Sequence, residues 1–177
     1  MYHEHLSYFF ITPLHKWLRK NELEIFHIQK QDVHGGTIRV FVSKSGSHKE
    51  RKSVRGFMKE EEKNGINNKQ TYDKFSTSIE SLRKNLVKKI ESLKKKNKII
   101  FGYGAPAKGN VLLNYCKIDN KILDFVTDTT ILKQGKLTPG TKIPIISPKD
   151  KPKNYKNMIA LLLAWNYKDA IIKIGQD

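Results

Sequence analysis

A chain of 177 residues has room for one good-sized domain, or a small domain with part of another, and 38% hydrophobic content excludes wholesale disorder. No apolar run approaches the roughly 18 residues of a membrane helix; the longest, Met158 to Trp165, suits a buried strand. The formal charge of +17 and a pI near 9.9 admit a nucleic-acid binder, but no helix-turn-helix, zinc-finger or RNP-type signature accompanies the charge.

Lysine far outnumbers arginine, and apart from a dense patch at Lys94–Lys98 the basic residues are spread along the chain. Lysine as solubilising filler accounts for that, so nucleic acid is not the expected partner. An anionic small ligand such as a nucleotide diphosphate would be served by a few of these lysines. The opening Met-Tyr-His-Glu-His lacks the basic and apolar segments of a signal peptide, which makes a cytoplasmic location the default expectation. Cys116 is the single cysteine, so neither a disulfide framework nor a Cys-based zinc cluster can form within the chain.

In chain order, Thr12 to Asn21 is predicted to be a helix, with Thr12 as cap, Pro13 in the first helical position and Leu14, Trp17 and Leu18 on one face. Glu24–Gln29 and Thr37–Ser43 read as strands joined through Val33-His34-Gly35-Gly36. A helix and a hairpin alone make a poor core and look like the end of a larger sheet. Residues 46–96 are polar and helical: a short helix capped by Ser53 and ending near Gly65, then a long one from Tyr72 to Lys96. Phe75, Ile79, Leu82, Leu86, Ile90 and Leu93 form an apolar stripe on the long helix, as expected of a packing helix between two domains. From Lys98 the pattern becomes strand (Ile99–Phe101), glycine-rich turn (Gly102–Asn110), helix (with Val111, Leu112 and Tyr115), strand (Ile122–Thr127, ending at Asp128). A later strand, Met158–Ala164, and a helix, Tyr167–Ile174, follow. That is the grammar of a parallel, doubly wound α/β sheet.

Several constellations bear chemistry. Glycines between a strand and a helix let the backbone approach an anion at the helix N-terminus, where Lys108 adds charge. The third glycine falls one position late for the dinucleotide fingerprint, Pro106 is foreign to it, and the Walker A ending is missing. A phosphate-binding turn and a purely structural one therefore both fit. Tyr2-His3-Glu4-His5 would suit a metal, an acid–base pair, or a frayed polar terminus. His34 before two glycines reads as a turn, and Cys116 as core. The basic, turn-rich loop Lys133-Gln-Gly-Lys136 with Thr138-Pro-Gly-Thr141 is either a solvated connection or part of a ligand site at the sheet edge.

Taken together, Gly102-Tyr-Gly-Ala-Pro-Ala-Lys-Gly-Asn110, Leu113-Asn-Tyr-Cys116, Lys133-Gln-Gly135, Pro139-Gly-Thr141, Ile143-Pro-Ile145 and Leu161-Leu-Leu-Ala-Trp-Asn166 resemble the C-terminal domain of the nucleotide-sugar C-methyltransferases. Tyr2-His-Glu-His-Leu-Ser-Tyr8 and His34-Gly-Gly36 resemble the end of that family's methyltransferase domain. The resemblance implies a Rossmann-like C-terminal domain (98–177), a helical linker (46–97), and the final helix and hairpin of a class I methyltransferase domain (1–45). It implies removal of a proton beside a sugar ketone followed by methyl transfer to that carbon. His5 matches the general base, Tyr2 and Glu4 its polar companions, and Gly102, Tyr103, Gly104, Lys108, Asn110 and Lys133 the sugar-nucleotide contacts. S-adenosylmethionine is the implied donor. Its glycine-rich loop and the family's zinc-binding cysteines are not found in this sequence, and family members continue into a further strand. The expectation is a part that is inactive alone, either the fragment of a split or decayed gene or one paired with a donor-binding part on a separate chain, with a nucleotide-linked keto-sugar as substrate. A stand-alone nucleotide-sugar binding module is the alternative, and a basic nucleic-acid-binding protein the third reading.

Overall fold

The computed structural model describes residues 7–33, 36–153 and 157–174. They fall into two compact units whose division lies between Thr77 and Ser78.

In the N-terminal unit, α1 (Ile11–Lys20) precedes an antiparallel hairpin of β1 (Leu23–Gln31) and β2 (Thr37–Lys44), followed by α2 (Lys52–Lys63). Helix α1 begins one residue earlier than predicted, and Thr12 is not its cap: the N-cap is Phe10, whose side chain makes no capping bond. The Glu61 carboxylate from α2 takes that role, accepting from the N–H of Ile11 and, at 2.7 Å, from that of Thr12. A carboxylate at this end also meets the positive end of the helix dipole. Ser53 likewise departs from its predicted role. Arg51 is the N-cap of α2, and the Ser53 hydroxyl instead lies 2.9 Å from His27 Nδ1 and accepts from the Ile28 N–H at 3.2 Å. Those bonds reach a bulge in β1, where the pairing skips from Ile25 opposite Val42 to His27 opposite Phe41. The extra residue shifts the alternation, so Ile25 and Ile28, three apart, both face inward. They join Ile11, Leu18 and Val54 in a small core that α2 completes.

Helix α3 (Lys69–Lys95) carries the predicted stripe, but only part of it is packed. Ile90 is buried, with Leu86, Val87 and Leu93 against the same core, whereas Phe75 and Leu82 are about two-thirds exposed, at 65% and 61%.

The C-terminal unit is built on a parallel sheet ordered β5-β4-β3-β6, from β3 (Ile99–Tyr103), β4 (Val126–Thr127), β5 (Ile145–Ile146) and β6 (Met158–Leu162). The α/β class and the parallel sheet expected from the sequence are both present. Strand β4 is shorter than predicted because the N–H groups of Ile122 and Leu123 turn back onto the Asp119 carbonyl. Strand β5 has no counterpart among the predicted elements. Helix α4 (Ala107–Cys116) buries Gly109, Leu113 and Cys116, the last as expected, with Leu112 packed against the same core and Tyr115 exposed. The final helix α5 (Lys168–Ile174) follows a 3₁₀ turn at Trp165–Tyr167. Ile100, Leu113, Ile118, Leu123, Val126, Ile143 and Leu163 form the core beneath these elements. Among the described residues no helix is long and apolar enough to cross a membrane.

Candidate functional site

From β3 the chain passes outward to β4 and β5, then returns to the opposite side of β3 at β6. At the carboxyl edge of a parallel sheet, the point where the winding reverses is where ligands settle. The glycine turn lies there. Tyr103 ends β3, Gly104 takes a left-handed φ of 81°, and α4 starts at Ala107 after Pro106.

Close packing accounts for the glycines. A Cβ on Gly104 would stand 2.8 Å from the Ala164 Cβ. One on Gly102 would meet Leu163 and Val126 at 2.8 Å, and one on Gly109 would meet the Leu163 Cβ at 2.8 Å. The segment after β6 is thus pressed into the turn, its Leu163 N–H donating to the Tyr103 carbonyl at 3.0 Å.

On the other side stands Asp128, one residue past β4. Its Oδ2 accepts from the Ala105 N–H at 2.7 Å and from Lys133 Nζ at 3.3 Å, and its Oδ1 from the Thr130 N–H at 2.8 Å. Lys133 Nζ also donates to the Ala105 carbonyl at 3.1 Å, and Gln134 Nε2 to the Asp128 carbonyl at 2.9 Å. Burial raises the pKa of this carboxyl, but the bonds from Thr130 and Ala105 and the charge of Lys133 outweigh it and hold the group below the usual carboxylate range. The sign follows from linkage: a lowered folded-state pKa gives stability that is complete above the unfolded carboxylate range and lost as pH falls through the folded value. Asp128→Asn is therefore expected to cost about 1–3 kcal/mol near neutral pH. In urea unfolding across pH, the gap from the parent protein should close on the acid side; a gap independent of pH would contradict the assignment.

Between the turn and the loop after β4 lies a cavity of about 340 Å³. Pro106, Val111, Leu137, Pro139 and Ile145 give it an apolar lining, while Asn110, Lys133 and Lys136 contribute polar groups. The Asn110 Oδ1 is buried with no hydrogen-bond partner among the described residues. The outer wall is fixed by its own bonds. Gly135 N–H donates to the Ile145 carbonyl at 2.9 Å and Ile145 N–H to that of Lys136 at 2.8 Å. The buried Thr138 and Thr141 hydroxyls meet at 2.6 Å, and Asn114 Nδ2 donates to the Pro139 carbonyl at 3.0 Å. A concave, mostly apolar space with a few convergent polar groups is the usual form of a small-molecule site.

Of the residues singled out from sequence, Gly104, Asn110 and Lys133 are brought to this turn and cavity. Gly102 is buried within β3, Tyr103 ends that strand, and Lys108 is half-buried in the first turn of α4. Tyr2, Glu4, His5 and His34 lie outside the described residues. Asp128 as the hub of the turn was not singled out, whereas the loop of Lys133–Lys136 and Thr138–Thr141, read as a possible ligand site, lines the cavity through Lys133, Lys136, Thr138 and Pro139. An acidic residue just past the strand that follows a glycine turn was the available signal for Asp128.

Residues 32–177 match the model of a family described as the C-methyltransferase C-terminal domain. The chain belongs to this family. C-methyltransferase NovU of Streptomyces niveus is 37% identical over 173 residues, an alignment covering 97% of this chain and 41% of that relative. Membership of a C-methyltransferase family implies S-adenosylmethionine as donor. The glycine turn does not fit the donor's carboxylate, because the Ala105 N–H is already bonded to Asp128 and Pro106 has none. No step through the donor is assigned to these residues.

Proposed function

We propose that this chain is the base-bearing and sugar-nucleotide-holding part of a C-methyltransferase that acts on a nucleotide-linked keto-sugar. The supporting observation is the cavity at the carboxyl edge of the parallel sheet, in a chain of this family. Its apolar lining suits a nucleoside and Lys136 suits the attached phosphates, with Lys133 lining the same cavity and Asn110 offering an acceptor to a ring N–H. In this reading Gly102, Tyr103, Gly104 and Lys108 shape the turn beside which the sugar nucleotide lies, in the cavity. His5 takes the proton from the carbon beside the ketone, with Tyr2 and Glu4 orienting the sugar, and the resulting enolate carbon accepts the methyl group. Residues 98–177 form a Rossmann-like binding domain, 46–97 the helical linker, and 1–45 the end of a class I methyltransferase domain. The donor S-adenosylmethionine is held by a part of the enzyme outside these 177 residues, and the reaction is cytoplasmic.

The test is methyl transfer from labelled S-adenosylmethionine to a nucleoside-diphosphate keto-sugar, with this chain alone and with a donor-binding part added. Label is expected in the sugar only in the second case, and transfer by the chain alone would contradict the division of labour. A second reading, a sugar-nucleotide binding module without turnover, is favoured by one feature: the cavity lies wholly within the C-terminal unit. Calorimetric heat with a nucleoside-diphosphate sugar, and no transfer under any combination, would select it.

A further inference from the structure

In a dinucleotide-binding turn, the N–H groups after the second glycine and at the helix start hold the pyrophosphate, and an acidic residue at the end of the next strand holds a ribose hydroxyl. The present turn has the same plan, with Gly102 and Gly104 before α4 and Asp128 after β4. Its groups are arranged differently. Of the two N–H positions following Gly104, Ala105 donates to Asp128 Oδ2 at 2.7 Å, and Pro106 carries no hydrogen. The carboxylate, with its side chain only 9% exposed, is further bound by the Thr130 N–H and Lys133 Nζ. One anionic group of the protein thus takes the first N–H after the second glycine and the cation beside it, both of which a ligand's phosphate would use. A ribose hydroxyl would find the same carboxylate already engaged by three donors.

We propose that Asp128 is the built-in anion of this glycine turn and a specificity-determining residue, closing the seat at the Ala105 N–H to a ligand's phosphate, so that dinucleotides are refused at the turn and phosphate-bearing ligands are confined to the neighbouring cavity. The inference rests on the turn's geometry and is independent of the methyl-transfer reading.

A side chain that merely supports the fold and one that stands in for a ligand anion differ in one respect: only the latter can be replaced by an anion from solution. In Asp128→Gly the Ala105 N–H and the Lys133 ammonium are left facing a vacated seat. Thermal unfolding of the full chain is measured with and without inorganic pyrophosphate at constant ionic strength. Asp128→Gly is expected to melt lower, and pyrophosphate should restore a large part of that loss while moving the parent protein much less. Comparing the two proteins cancels pyrophosphate held loosely by the many surface lysines. An equal response of both, or none in the variant, overturns the proposal. Should Asp128→Gly not fold, the parent protein decides the matter by amide NMR. The Ala105 resonance should stay in place as pyrophosphate or NAD is added, and a saturable shift there overturns the closed seat.

Discussion

Gly104→Ala is expected to destabilise the C-terminal unit by roughly 2–5 kcal/mol, combining about 1–2 kcal/mol for a non-glycine residue in the left-handed region with 1–3 kcal/mol for overpacking. The second contribution is firm because both colliding atoms are Cβ atoms. The added methyl would stand 2.8 Å from the Ala164 Cβ, and neither atom can rotate away. Relief requires the backbone of Ala164 to withdraw, yet Leu163 and Ala164 are tied to the Tyr103 carbonyl at 3.0 and 3.3 Å. Gly135 supplies the control: its φ is 76°, and nothing lies within 4 Å of its would-be Cβ, so Gly135→Ala should show the backbone cost without the collision. Ala164→Gly should recover the packing share when combined with Gly104→Ala, a coupling that a double-mutant cycle reads. Unfolding in urea, followed through Trp165 with Trp17 replaced by Phe, isolates this unit. A loss in Gly104→Ala no larger than that in Gly135→Ala would show that the close approach carries no stability.

These distances also show what a sequence can and cannot display. The strand–turn–helix succession around Gly102–Asn110 was legible because each part has a local cause: β-branched and aromatic residues, glycine, and then a helical apolar face. Whether the glycines bind phosphate or permit packing was not legible. The answer lies at Leu163 and Ala164, more than 50 residues away and invisible to spacing. The caps of α1 and α2 failed for a related reason. Thr12 and Ser53 are ordinary capping residues, but Glu61 from another helix supplied the first cap, and a bulged strand drew away the Ser53 hydroxyl. Strand β5 is two residues long, too short for any alternation to reveal. The α3 stripe is a period within one helix and so visible in sequence, while its partial exposure depends on what surrounds it. In sequence Asp128 is only the end of a strand; its role follows from the three donors that converge on it.

In the proposed reading, His5→Gln carries the largest effect on activity: methyl transfer by the assembled enzyme should fall about 10²–10⁴-fold, the range that a positioned general base contributes. The role is assigned through the family resemblance of Tyr2-His-Glu-His5 and is chemically apt. A proton beside a ketone is acidified, and imidazole titrates near pH 6.5, so its neutral form can accept that proton under physiological conditions. Lost transfer alone would not separate a base from a residue that only holds the sugar. Exchange of the same C–H with deuterated water does, because it requires proton removal and no methyl group. With S-adenosylhomocysteine in place of the donor, the parent enzyme should exchange that position, at a rate rising with pH through the histidine range. His5→Gln should lose exchange and transfer together and keep its affinity for the nucleoside-diphosphate sugar, since the cavity of Asn110, Val111 and Leu137 is untouched. Tyr2→Phe and Glu4→Gln, altering its orienting companions, should reduce the rate less and leave the pH dependence in place. If His5→Gln exchanges at the parent rate while transfer fails, the base is another residue and His5 serves the methyl-transfer step.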